Sequence, residues 1–293
     1  MPWLQLTLEA GDLDVETLSD WFEQRGAVSV TLVDAADQPL FEPDPGTTPL
    51  WSATRLTAMF EADADADTLS AQLRQDFGAA AVKRLGRSLL EDQDWERVWL
   101  DQFHPMQFGE RLWVCPAGKL PPQGEKPVIV NLDPGLAFGT GTHATTALCL
   151  EWLDANPPRD QAVLDYGSGS GILAVAALKL GAAALWAVDI DEQALLSTRD
   201  NAARNAVDDR LHTLFPAQLP EQAFDLLLAN ILANPLIKLA PDLAGRVRCG
   251  GNIVLSGILA DQADAVREAY APWFRLSDTI GKEGWVRLQG ERI

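Results

Sequence analysis

The run Val163-Leu164-Asp165-Tyr166-Gly167-Ser168-Gly169-Ser170-Gly171 constrains the fold more than any other stretch of this chain. An apolar run ends in an acid, and a turn with glycine at alternate positions follows. A helical apolar pattern then extends from Ile172 to Leu180. A second apolar run, Leu185 to Val188, ends in Asp189. Strand, glycine turn, helix, strand and acid form the layout of a nucleotide-binding βαβ unit.

Two details narrow the nucleotide. A dinucleotide site uses G-x-G-x-x-G and rests its pyrophosphate on a helix N-terminus. Here the spacing is G-x-G-x-G, and Asp165 stands at the strand end just before the turn. A carboxylate there repels a pyrophosphate. It suits a ligand that carries an ammonium and a sulfonium, as S-adenosylmethionine does. Gly167 and Gly169 let the backbone pass close under such a ligand without a Cβ clash. Asp189, at the tip of the next strand, can accept both ribose hydroxyls. The plainer alternative is a turn that only reverses the chain, with Asp165 as a helix cap.

A chain of 293 residues fits two domains. At the start, Leu4, Leu6 and Leu8 alternate with Gln5, Thr7 and Glu9, the period of a half-buried strand. Leu18, Trp21 and Phe22 share one face of a helix from about Val15 to Arg25, ended by Gly26. Val28 to Val33 and Arg55 to Phe60 read as strands, with a Pro- and Gly-rich loop, Pro39 to Pro49, between them. The acidic run Ala62 to Asp67 reads as a solvated turn. Thr68 to Phe77 reads as a helix stopped by Gly78, and Ala81 to Leu85 as a short strand. The order β-α-β-β-α-β is that of a ferredoxin-like domain over residues 1–90. Such a domain more often binds a partner than performs chemistry.

Asp94 to Phe103, with Trp95, Val98 and Trp99 on one side, is expected as a helix within a linker over 91–110. Residues 111–293 read as α/β. Helices are expected at Thr142 to Asn156, Glu192 to Asn205, Pro235 to Leu243 and Asp261 to Tyr270. Strands alternate with them, including Asp225 to Ala229 and Asn252 to Ser256, and Phe274 to Asp278 with Trp285 to Gln289 form a closing pair. The fold class is therefore α/β, a doubly wound, mostly parallel sheet preceded by a small α+β domain. Ligand is expected at the carboxyl ends of the strands.

Two further motifs belong to that end of the sheet. Asp133-Pro134-Gly135-Leu136-Ala137-Phe138-Gly139-Thr140-Gly141-Thr142-His143-Ala144-Thr145-Thr146 is a glycine- and threonine-rich loop running into a helix. Its hydroxyls and N–H groups can reach a carboxylate at the helix N-terminus, and the methionine carboxylate is the obvious candidate. The alternative is a capped turn with Thr142 as N-cap. His143 suggests a general base, but a lone histidine in such a loop is more often structural. Asn230-Ile231-Leu232-Ala233 follows a strand, where an amine acceptor is expected. Methyltransferases acting on nitrogen often carry Asn-Pro-Pro-Tyr there. Asn230 matches, while the prolines and tyrosine are absent, which argues against a flat adenine acceptor.

Together the loop DPGLAFGTGTHATT and the motifs DYGSGSG, VDID and NILA, in that order, resemble one family. It is the PrmA family, methyltransferases of ribosomal protein eleven of the large subunit, and the resemblance spans essentially the whole chain. It implies a class I S-adenosylmethionine-dependent methyltransferase behind a ferredoxin-like substrate-recognition domain. It implies trimethylation of lysine ε-amines and the N-terminal α-amine of that ribosomal protein, free or in the ribosome. Carried over by position, it implies cofactor contacts at Thr146, Gly167, Asp189 and Asn230, with Phe138 and Thr142 lining the pocket. Ser168 stands where the family often has Cys, and Asn234 where it often has Gly.

Composition sets the outer limits. The net charge of −19, with no basic stripe, argues against a nucleic-acid substrate and favours a basic partner. Cys115, Cys149 and Cys249 are scattered without metal-ligand spacing, so a reduced, cytoplasmic, metal-free protein is expected. No membrane span or signal peptide is expected. The rival readings are a methyltransferase of another protein amine or a small molecule, and a non-enzymatic RNA- or cofactor-binding module. A dehydrogenase is disfavoured by Asp165 and the glycine spacing.

Overall fold

The computed structural model describes residues 2–36, 38, 49–91, 104–116, 118–121, 127–132 and 142–293. The chain divides into two compact units, Met1–Trp95 and Glu96–Ile293.

The first unit runs β1 (Trp3–Glu9), α1 (Val15–Glu23), β2 (Ser29–Asp34), β3 (Thr54–Glu61), α2 (Ala66–Phe77), α3 (Ala79–Lys83) and β4 (Leu85–Leu90). Its antiparallel sheet has the order β2-β3-β1-β4, the ferredoxin-like arrangement. Leu4, Leu6 and Leu8 point inward from β1 and share a core with Leu56, Ala58 and Phe60 of β3 and Leu18, Trp21 and Phe22 of α1. Each buried Leu and Phe of this set contributes roughly 1.5–3 kcal/mol by leaving water. Two expectations are corrected here. Ala79–Lys83 is a short helix, and the strand begins only at Leu85. Gly78, at φ +86°, breaks α2, and the three alanines after it favour a fresh helical turn. The acidic run is also more than a turn: Asp65 caps α2 by accepting from the N–H groups of Asp67 and Thr68 at 3.0 and 3.1 Å.

The second unit opens with β5 (Met106–Phe108), β6 (Leu112–Cys115) and β7 (Val128–Asn131), a small mixed sheet. Thus β5 lies inside the stretch expected as linker. The connecting helix expected from Asp94 to Phe103 lies outside the described residues. Then come α4 (Ala144–Ala155), β8 (Ala162–Tyr166), α5 (Ile172–Lys179), β9 (Ala184–Val188), α6 (Glu192–Arg204), β10 (Leu211–Leu214), β11 (Phe224–Asn230) and α7 (Ala233–Gly245). The unit ends with β12 (Val247–Leu259), α8 (Ala263–Tyr270), β13 (Phe274–Leu276), β14 (Ile280–Lys282) and β15 (Trp285–Arg292).

The large sheet has the order β10-β9-β8-β11-β12-β15-β13, with β14 attached to β15. The strands from β10 to β12 are parallel, and β15 enters antiparallel between β12 and β13. Side chains alternate between two cores. Val163, Leu226, Leu228 and Val254 join one face, and Leu164, Leu227, Ala229, Ile253 and Leu255 the other. Burial on both faces explains why these strands read as continuous apolar runs. Helix α5 is buried from Ile172 to Leu178, which explains its unbroken apolar sequence. No helix among the described residues is long and apolar enough to cross a membrane.

Candidate functional site

The carboxyl ends of β9, β8 and β11 lie side by side. Asp165 is the fourth residue of β8 and is only 1 % exposed. After Tyr166 the chain enters the glycine turn. Gly167, Gly169 and Gly171 have φ of +83°, +54° and +78°, a region that costs any L residue with a Cβ.

This turn is pinned from the β9 side. The N–H groups of Gly167 and Ser168 both donate to the Val188 carbonyl, at 2.7 and 3.1 Å. The N–H of Gly169 donates to Asp189 Oδ2 at 2.9 Å. Asp189 Oδ1 accepts from the N–H of Asp191 at 3.1 Å. One partner on each carboxylate oxygen leaves acceptor capacity on both. Helix α6 secures the rest: Thr198 donates to the Gly169 carbonyl at 3.1 Å, and Asn201 Nδ2 to the Ser170 carbonyl at 2.8 Å. Thr198 packs so tightly on Gly171 that a Cβ there would meet its Cα at 2.9 Å.

Asp165 differs from every group around it. Among the described residues neither carboxylate oxygen has a hydrogen-bond partner. Burial, and secondly the charge of Asp189, push its carboxyl up to about 7, while the nearby N–H of Ala174 opposes the shift without reaching hydrogen-bonding geometry. Helix α5 is entered through Gly171, which has no side chain to cap it, and Ser170 Oγ accepts from the N–H of Ile172 at 3.4 Å. Of the alternative of Asp165 as a helix cap, only the weak interaction with the Ala174 N–H in the first turn of α5 remains. A buried carboxylate without a partner is costly, and a cation beside it favours the ionised form.

The neighbouring strand carries the other half of the site. Asn230 is the last residue of β11, and its Nδ2 donates to Thr146 Oγ1 at 3.3 Å. Thr146 is buried in the first turn of α4. The carboxamide thus commits a donor to α4 and keeps its oxygen as an acceptor. Thr142 is exposed just before that helix. The N-cap is His143 rather than Thr142: its ring accepts from the N–H of Thr145 at 3.4 Å and lies 2.8 Å from Thr145 Oγ1. Its ring also packs edge-on to Trp285, centroids 4.9 Å apart. Phe138 and the rest of the loop before Thr142 lie outside the described residues.

The structure thus brings Asp165, Gly167, Gly169 and Asp189 into one cradle, with Asn230 and Thr146 joined one strand away. Sequence reading missed the groups that brace them: the Val188 carbonyl, Thr198, Asn201 and Gly257, the last lying against the backbone of Ile231. An isolated glycine inside a strand marks a bulge or a close backbone approach, so Gly257 carried a readable signal. Among the described residues no group of three His, Cys, Asp or Glu side chains is arranged to hold a metal ion.

Five parallel strands, an antiparallel strand inserted near one edge, and a glycine turn after the central strand define a class I methyltransferase domain. The chain belongs to the Ribosomal protein L11 methyltransferase (PrmA) family, whose model matches residues 2–293. The ribosomal protein L11 methyltransferase of Azotobacter vinelandii is 55% identical over 295 residues, covering 100% of both chains. That of Pseudomonas paraeruginosa is 54% identical over 293 residues, covering 100% of this chain and 99% of its own. The crystal structure of a ribosomal protein L11 methylase from Lactobacillus delbrueckii subsp. bulgaricus superposes with a TM-score of 0.60 at 33% identity. It covers 65% of this chain and 99% of that one.

Proposed function

We propose that this protein transfers methyl groups from S-adenosylmethionine to lysine ε-amines and the N-terminal α-amine of ribosomal protein L11, to the trimethylated state. The observation that carries this reading is Asp165: a buried carboxylate with no hydrogen-bond partner among the described residues, set before a glycine turn, with a second acid at the end of the neighbouring strand. That set fits a nucleoside bearing positive charge. Asp165 would face the ammonium and sulfonium end, and Asp189 the ribose hydroxyls. Gly167 and Gly169 would pass beneath, and Thr146, Thr142 and Phe138 would contribute from the loop and start of α4.

When bound, the cofactor supplies a methyl group on a sulfonium, open to in-line attack by a neutral amine. A lysine is charged at pH 7, and its reference pKa of roughly 10.4 makes deprotonation cost about 4–5 kcal/mol. Desolvation in the cleft lowers that cost. Asn230 contributes by orientation in the first two transfers: its carboxamide oxygen accepts an N–H of the neutral primary or secondary amine and aims the lone pair, while the neutral dimethylamine of the third transfer has no N–H left and is held in line by the walls of the cleft. Aligning two reactants removes a large share of the remaining barrier. His143, committed to capping α4, is not assigned as a base, and water carries the proton away.

The ferredoxin-like unit is assigned to recognition of the ribosomal protein, free or within the ribosome, and the acidic charge of the chain favours that basic class of partner. A cytoplasmic location accords with such a substrate. Mass spectrometry of the large-subunit proteins, with and without this protein, tests the reading. Loss of the L11 methyl groups in its absence is expected. Unchanged L11 masses, with another protein or a small molecule losing its methyl groups, would reassign the substrate.

A further inference from the structure

Ile231 directly follows Asn230 and packs against the core shared by α7 and α8. On one side its Cγ2 lies so close to Gly167 that any Cβ on that glycine would collide with it. On the other side its own peptide presses on Gly257. A Cβ on Gly257 would meet the Ile231 carbonyl carbon at 2.7 Å and its nitrogen at 3.1 Å. Both glycines have φ of +83°. Gly257 sits where β12 slips register against β15, between Leu255 and Ile258. Ile231 is therefore wedged between the turn after β8 and the bulge in β12, the two strands that flank β11.

We propose that Ile231 is a positioning residue: seated between Gly167 and Gly257, it holds the Asn230 carboxamide in register with the glycine turn. This inference rests on the methyl-transfer reading above. The Cγ2 contact is the part that demands a β-branched residue. A β-branched side chain is stiff at χ1, so its γ-methyl stays where the turn needs it. Small misplacements of an aligning group cost up to about 10²-fold in rate.

The test separates the branch from bulk. Ile231→Val keeps Cγ2. Ile231→Leu keeps the carbon count and deletes it. The measurements are single-turnover methyl transfer to L11, calorimetric affinity for S-adenosylmethionine, and melting temperature. Ile231→Val is expected within about threefold of wild type. Ile231→Leu is expected to transfer about 10- to 100-fold more slowly, with affinity changed less than about threefold. Should the leucine variant fold poorly, Ile231→Ala removes the same methyl without added length and is expected to show the same split. A leucine or alanine variant as fast as the valine one, or a rate that follows melting temperature across the set, overturns the proposal. A wild-type protein that binds no S-adenosylmethionine, or leaves L11 unmodified, fails earlier, at the reading on which the proposal depends.

Discussion

Asn230 and Thr146 are joined by a side-chain hydrogen bond of 3.3 Å that ties the end of β11 to the first turn of α4. The bond orients a carboxamide that could otherwise rotate. It couples the strand expected to meet the acceptor to the helix expected to meet the cofactor.

Asn230→Ala is therefore expected to lower turnover by about 10- to 100-fold, the range set by a hydrogen bond of roughly 1.5–3 kcal/mol to a charged or reacting group. Cofactor affinity should fall far less. Thr146→Val, which removes the hydroxyl, should slow transfer about fivefold, while Thr146→Ser should not. Single turnover with calorimetric titration checks this. Equal losses of rate and affinity for Asn230→Ala would confine Asn230 to cofactor binding.

Asp189 has a double role: it braces the turn through Gly169 and faces outward with spare acceptor capacity. Asp189→Ala should weaken S-adenosylmethionine binding about 10- to 100-fold and lower the melting temperature by a few degrees. Asp189→Asn keeps an acceptor for the Gly169 N–H and should recover most of the stability but not the affinity. Recovery of both by the amide would mean that the charge is irrelevant to the ribose.

The pH dependence follows from Asp165, whose carboxyl in the free protein lies at about 7. A folded value above the unfolded one means that the group's stabilising contribution is whole below about pH 4 and is lost as the pH rises towards 7. A cationic ligand that selects the ionised form gains in the opposite sense. Affinity should rise with pH, by at most about tenfold per unit below 7, with release of up to one proton. Between about pH 5.5 and 6.5 the ligand's own α-amine, with a reference pKa of roughly 7.7–8.0, stays charged. Titrations in buffers of differing ionisation enthalpy count the proton. Asp165→Asn should flatten the profile. Asp189→Asn should move it to lower pH, because the Asp189 charge is part of what raises Asp165. A flat profile in the wild type would remove the cation from this site.

The first unit, Met1–Trp95, has its own sheet and core. Removing residues 1–91 is expected to abolish methylation of L11 while leaving S-adenosylmethionine affinity within about threefold, as independent cores allow. Full activity of the shortened chain on L11 would return recognition to the methyltransferase unit.

The legible part of this protein was the part whose physics is local. Asp165, the glycine turn and Asp189 lie within one βαβ unit, and the turn's bonds to Val188 and Asp189 close inside that unit, while Thr198 and Asn201 reach it from the next helix. The alternating leucines of β1 and the unbroken apolar run of α5 each declared one buried surface. What stayed hidden depends on residues far apart in sequence. Gly167, Ile231 and Gly257 meet only after three strands have aligned. Thr142 and His143 are adjacent and both able to cap, so only the geometry of α4 chooses His143. Strand β14 is three residues long and exists through its pairing with β15.

The antiparallel β15 has a consequence for synthesis. Among the described residues, β13 has β15 as its sole strand neighbour, although β13 precedes it in the chain. A polypeptide made from its amino end therefore contains the β13 residues before the strand that pairs with them. In the finished sheet Trp285–Arg292 stands between β12 and β13, so that edge cannot close before this strand is present. Completion of that edge is late by topology, whatever the strength of its contacts.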